Sequence, residues 1–280
     1  MLKILATTDF SSNSKAGIRF AIQLASQQPC ELTFFHSYHI MKPSIWDVQT
    51  FTSYEKSESV KMKNKLEKFV AGIYKAMDTK PGKVHFVLSS SFVTDSNIIK
   101  YASDHQFDFI SISRRGDGKV KKFFGTNTTN LIQHSKVPII AVPHNYKSSK
   151  IKSVLYASDL ANLKQEMDKT VAFAKPLGAS IELLHLNYPS DSSDNMKTIE
   201  ELIKKYPKTS ISYRLENIDL VYNLITNLEH VIKKTKPSIL IMFTDQDLDF
   251  FEKLFLSSST AEYSLRASVP LLVFKKESIK

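Results

Sequence analysis

Cysteine is almost missing from this chain: Cys30 is the only one, which excludes an intramolecular disulfide and a thiolate metal cluster. No apolar run approaches the roughly 18 residues that a membrane span requires. The opening MLKILATTDF holds too short an apolar stretch for a signal peptide and lacks a small-residue cleavage site, so the cytoplasm is the expected location. Glycine is scarce too, with 7 in 280 residues, yet Gly116, Gly118 and Gly125 fall within one short stretch. That concentration marks a place where the backbone does something other residues resist.

What is present describes a globular protein. Hydrophobic residues make up 42% and charged residues 24%, a balance that supports packed cores. At about 150 residues per domain, a chain of 280 residues has room for two. The net charge is +10, but the lysines are spread along helix-like segments such as Lys61, Lys63, Lys65 and Lys68. Solvated helix faces account for them, and a nucleic-acid partner is not expected.

The chain repeats itself. LATTDF near the start returns as LYASDL, aligning Asp9 with Asp159; LTFFHSY returns as IELLHLN, aligning His36 with His185; KVPIIAVP returns as SVPLLVF, aligning Pro138 with Pro270. Three landmarks in the same order imply duplication. Their spacing shrinks by about 17 residues between the second and third, which places a deletion in the helix after the second strand of the second copy. The two domains are expected at 1–146 and 150–280, joined by a polar linker near Asn145 to Lys150.

Within each copy, apolar runs of strand length alternate with segments of helical period. Strands are expected at Lys3 to Thr8, Glu31 to Ser37, Lys83 to Leu88, Asp108 to Ser113 and Pro138 to Val142. Helices are expected at Asn13 to Gln27, Tyr54 to Met77, Asp95 to Asp104 and Thr126 to His134. The second copy repeats the order with strands near Lys152 to Ala157, Ile181 to Asn187, Ser210 to Leu215, Ile239 to Phe243 and Pro270 to Phe274, and with a shorter helix near Asn195 to Lys205. Near-continuous apolar strands separated by helices predict an α/β fold with a doubly wound parallel sheet in each copy.

In such a sheet ligands lie beyond the carboxyl ends of the strands at the switch point, so the residues after strands one, two and four carry the interest. After strand one, Asp9 is either an acceptor for a ribose hydroxyl or adenine amine, or a cap of the following helix. After strand four, SRRGDGKVKKFFGTNTTNLI combines Gly116, Gly118 and Gly125 with Arg114, Arg115, Lys119, Lys121 and Lys122. The hydroxyl-rich start Thr126, Asn127, Thr128 and Thr129 then opens a helix whose free N–H groups favour phosphate. The loop lacks the GK[ST] ending of a Walker loop and stands after the wrong strand for a dinucleotide fingerprint.

ILATTDFSSNSKAGIRFAIQLA, the strand ending FFHS, and GDGKVKKFFGTNTTNLIQHSKVPIIAVP together resemble a universal stress protein domain, over essentially all of the first copy and more faintly the second. The resemblance implies an adenine nucleotide alpha hydrolase-like fold, with a five-stranded sheet of order 3-2-1-4-5 in each copy. It also implies adenine nucleotide (ATP or AMP) across the first switch point. The family's loop, G-x-x-G, nine residues, then G-[ST], places Gly116 as the second glycine, Gly125 as the third and Thr126 as the hydroxyl residue. Ser113 stands where the first glycine belongs, its side chain expected to crowd ribose or phosphate, and only eight residues separate Gly116 from Gly125. By the same resemblance Thr8 and Asp9 lie beside adenine and ribose, and Ser37 or Tyr38 closes on the base. His36, like His185, reads as a packed strand residue without a visible partner.

The second copy has TDQDLDFFEKLFLSSSTAEYSLRASVP in place of the phosphate loop. It contains no glycine, and Asp245, Asp247, Asp249 and Glu252 would repel phosphate, so no ATP is expected there. The alternating aspartates lack the glycine and bidentate glutamate of a calcium loop and read as a solvated acidic turn. Three functions follow in order. The first is a stress-associated protein that binds nucleotide in its first copy, with the fifth strands VPIIAVP and VPLLVF pairing as a pseudo-dimer inside the chain, and a homodimer also open. The second is a partner-binding scaffold that has lost nucleotide. The third is an enzyme of the related hydrolase class; TTDFSSNS lacks that class's SGGxDS loop, so at most weak ATPase activity is expected.

Overall fold

The structure, a computed structural model, describes residues 1–114, 126–187, 195–219, 221–222, 224–244 and 269–276. These residues divide into two compact units, the first ending at Ser148 and the second beginning at Ser149.

Unit 1 alternates strand and helix: β1 (Leu2–Thr7), α1 (Lys15–Ala25), β2 (Cys30–Tyr38), α2 (Val48–Ala76), β3 (Val84–Ser90), α3 (Thr94–Asp104), β4 (Phe109–Arg114), α4 (Thr126–His134) and β5 (Ile139–Pro143). All strand pairs are parallel, in the order β3-β2-β1-β4-β5. Because helices cover both faces of such a sheet, its inner strands are apolar without alternation. Ile4, Leu5 and Ala6 of β1 and Phe34 and Phe35 of β2 are all fully buried.

Helix α1 is buried through Ala16, Phe20, Ile22 and Leu24, among others. Helix α2 begins at Val48, six residues before its expected start, because the Asp47 side chain accepts the Thr50 N–H and caps the first turn. At 29 residues it is about 43 Å long, and its first buried residue is Leu66.

Unit 2 contains β6 (Ser153–Ala157), α5 (Leu163–Ala174), a single 3-10 turn (Lys175–Leu177), β7 (Ser180–Asn187), α6 (Asn195–Ile203), β8 (Ile211–Asn217), α7 (Leu224–Thr235), β9 (Ile239–Thr244) and β10 (Leu271–Lys275). Its order is β8-β7-β6-β9-β10, again parallel throughout. The fold of each unit is therefore the doubly wound sheet of order 3-2-1-4-5. The helix after the second strand has 9 residues in unit 2 against 29 in unit 1, which is where the repeat spacing placed the deletion.

The polar join is not a free tether on its first side. Tyr146 is buried, with its ring 5.6 Å from that of Phe20 and its carbonyl accepting from Arg19 Nη1 at 3.0 Å. Among the described residues no helix is long and apolar enough to cross a membrane, and no group of three or more His, Cys, Asp or Glu is placed to hold a metal ion.

Candidate functional site

The carboxyl ends of β1, β2 and β4 and the starts of α3 and α4 enclose a cavity of about 550 Å³ in unit 1. Of the residues the sequence singled out, Thr8, Asp9, Ser37, Ser113, Asn127 and Thr128 line it. Thr126 opens α4. Tyr38 ends β2, and Arg114 ends β4 with its side chain buried, so Arg114 is a strand residue and not part of the cationic loop. Arg115, Gly116, Gly118 and Gly125 lie outside the described residues, as do Lys119, Lys121 and Lys122. Sequence reasoning missed Asn13, Ser14 and Thr94 in the wall, and Phe35, Ile98 and Ile112 as its apolar part.

The loop after β1 is built by its own side chains. Ser14 Oγ donates to the Ser11 carbonyl at 2.9 Å, so in the 2.7 Å contact between Thr8 Oγ1 and Ser14 Oγ the threonine is the donor. Thr8 Oγ1 in turn accepts the Phe10 N–H at 3.0 Å, and Asp9 Oδ1 accepts the Ser11 N–H at 2.9 Å. Asp9 therefore shapes the loop. It does not cap α1, whose N-cap is Ser14, a residue whose own side chain makes no capping bond to the helix. Partial desolvation raises the Asp9 carboxyl, but hydrogen bonding led by Ser11 outweighs it and holds the group below its ordinary value. Among the described lining residues it is the only ionisable one.

Phe10 sits in the left-handed region at φ 63°, where a non-glycine residue persists only if its surroundings hold it. Its ring lies 4.2 Å from that of His36, meets Phe69 of α2 edge-on at 5.7 Å, and carries Lys65 Nζ 4.5 Å above it. His36 has a partner after all: Nδ1 donates to the Thr8 carbonyl at 2.8 Å and ties β2 to the loop.

Ser113, which stands where the resemblance leads one to expect a glycine, has its hydroxyl engaged. Its Oγ accepts the Gly17 N–H at 2.7 Å, while Ser111 Oγ donates to the Gly17 carbonyl at 2.8 Å. One of the orphan donors of the first turn of α1 is thereby satisfied from β4. The close approach requires glycine: a Cβ on Gly17 would stand 3.0 Å from Ile112 C and Ser113 N. On the far wall, Ser37 Oγ accepts from Asn97 Nδ2 at 2.7 Å, and Asp95 of α3 accepts from Asn130 of α4, which fixes the helix bearing Asn127 and Thr128.

Unit 2 repeats three of these bonds and the left-handed residue. Ser158 Oγ accepts the Leu160 N–H at 3.0 Å, Asp159 Oδ1 accepts the Ala161 N–H at 3.0 Å, and Leu160 has φ 66°. His185 Nδ1 donates to the Ser158 carbonyl at 2.9 Å. Its surroundings differ, because Lys276 forms an ion pair with Asp159 Oδ2 and Tyr156 bonds to Glu166 beneath the loop. The acidic turn containing Asp245, Asp247, Asp249 and Glu252 lies outside the described residues.

The model of the universal stress protein family matches residues 1–143, just over half the chain. No curated protein matches the sequence. Among solved structures, a universal stress protein from Archaeoglobus fulgidus DSM 4304 is similar with a TM-score of 0.71 at 16% identity, covering 98% of each chain. A functionally unknown protein from Pseudomonas aeruginosa PAO1 gives a TM-score of 0.56 at 11% identity, covering 98% of this chain and 92% of that one. These likenesses concern the fold alone, whereas the family model speaks for the sequence. The chain belongs to the universal stress protein family.

Proposed function

We infer that the chain binds an adenine nucleotide, ATP or AMP, in unit 1, and that unit 2 binds none and serves assembly through its fifth strand. The observation that carries this reading is the cavity itself: about 550 Å³ at the switch point, walled by hydroxyl and amide groups over an apolar floor. That size and lining suit a small polar ligand. The start of α4 supplies N–H groups and a positive dipole end for phosphate, and Asp9 is an anionic acceptor for ribose or an exocyclic amine. Binding without turnover fits the same surroundings, since His36 is committed to the Thr8 carbonyl. The working location proposed is the cytoplasm.

A second reading, a partner-binding scaffold without nucleotide, draws on Ser113. Its hydroxyl is already engaged by Gly17 where the family's loop has a bare backbone. Titration with labelled ATP and AMP separates the two. Saturable binding at one site per chain, weakened at least about tenfold (~1.4 kcal/mol) by Gly125→Asp, supports the first reading. No saturable binding to the parent chain overturns it in favour of the second.

A further inference from the structure

Unit 2 contains a buried charged cluster that nucleotide binding in unit 1 leaves unused. Lys276 directly follows β10, and its N–H donates to the Thr244 carbonyl at 3.0 Å, so the side chain leaves from a fixed backbone. That side chain is 5% exposed and ends on Asp159 Oδ2, with Glu166 Oε1 at 3.9 Å. Glu166, in the first turn of α5, is 3% exposed, and its other oxygen receives the Tyr156 hydroxyl. Tyr156 is fully buried and also bonds to Ser158 Oγ at 2.9 Å. Burial first, then the Glu166 carboxylate, pushes its ionisation well above that of an ordinary phenol, so it remains a donor.

The Asp159 side chain is 30% exposed and Glu166 is buried, and burying a carboxylate as deeply as Glu166 is costly unless a cation stands beside the two acids. A primary ammonium suits them because its three N–H donors can be shared between two carboxylates. The corresponding positions in unit 1 are Ala6 for Tyr156, Ala16 for Glu166 and an exposed His144 for Lys276. The cluster is thus peculiar to the second copy, although the loop carrying Asp159 is shared.

We propose that Asp159, Glu166 and Tyr156 form an ammonium-binding site at the second switch point, and that Lys276 is its tethered occupant. The carboxylate that in unit 1 lines an open cavity is, in unit 2, taken by the segment that follows the last strand. This assignment does not depend on nucleotide binding in unit 1.

Chemical rescue tests it. In Lys276→Ala the cluster loses the cation described in it, and the thermal midpoint of unit 2 falls by about 5 °C or more. Added n-butylammonium restores at least half of the loss in a saturable manner. Tetramethylammonium, which has no N–H, does not, and neither ion moves the parent chain. A fall below about 2 °C, or equal rescue by both ions, overturns the proposal. Should the variant fail to fold, acetylation of the parent chain read by mass spectrometry decides. Lys276 reacting roughly tenfold slower than the exposed Lys164 upholds the site; equal rates overturn it.

Discussion

His36 donates from Nδ1 to the Thr8 carbonyl, so protonation would have to occur at Nε2 beside the Phe10 ring. Burial lowers its proton affinity by more than the bond to Thr8 restores, and its value in the folded chain lies below the ordinary 6.5. The unfolded chain then takes the proton first. The resulting contribution to stability is complete above about pH 6.5 and is lost as pH falls through the lower folded value. Urea midpoints measured at pH 7.5 and 5.5 should drop with acidification, and His36→Gln should flatten the drop; an unchanged slope in that variant would show that other groups carry the effect. The histidine's partner was invisible in sequence because a carbonyl leaves no trace in residue identity. Asn13, Ser14 and Thr94 were missed for a related reason: they reach the cavity only through the folding of the loop after β1 and the start of α3. Thr8, Asp9, Ser37, Ser113, Asn127 and Thr128 were legible because the carboxyl ends of parallel strands converge wherever the sheet reverses its order.

Helix α1 and strand β4 meet closely at Gly17. Gly17→Ala would force a Cβ to within 3.0 Å of two backbone atoms that cannot yield without moving the strand. A loss of about 1–3 kcal/mol is expected from chemical denaturation. Gly72, on the exposed side of α2, has nothing within 4 Å of where its Cβ would stand. Gly72→Ala should therefore stabilise the chain by about 0.5–1 kcal/mol through helix propensity. If both substitutions move stability the same way, the packing account of Gly17 is wrong. Strand positions were readable to within a residue or two because buried parallel strands are apolar runs, whereas the start of α2 was not. Its apolar period is weak before Leu66, and what starts it is the local bond between Asp47 and Thr50.

For the whole molecule, duplication was the feature most plainly written in the sequence, and the divergence of the two copies the least. The acidic turn drew attention to unit 2 as a site unsuited to phosphate, yet the described cluster of Tyr156, Glu166 and Lys276 joins residues 120 positions apart, a relation no local pattern carries. Nucleotide at 100 times its dissociation constant should stabilise the unit that binds it by about 2.7 kcal/mol. Hydrogen exchange in saturating ATP should therefore slow in β1, α1 and β4 and leave β6 to β10 unchanged. Slowing centred on unit 2 would reverse the assignment.

The switch-point loop occurs twice with the same hydroxyl and carboxylate bonds to its backbone and a left-handed residue at the same place, once beside an open cavity and once above a filled cluster. Its shape therefore belongs to the architecture that both halves share, and a search of other genomes for that shape alone would collect vacant pockets and occupied ones without telling them apart.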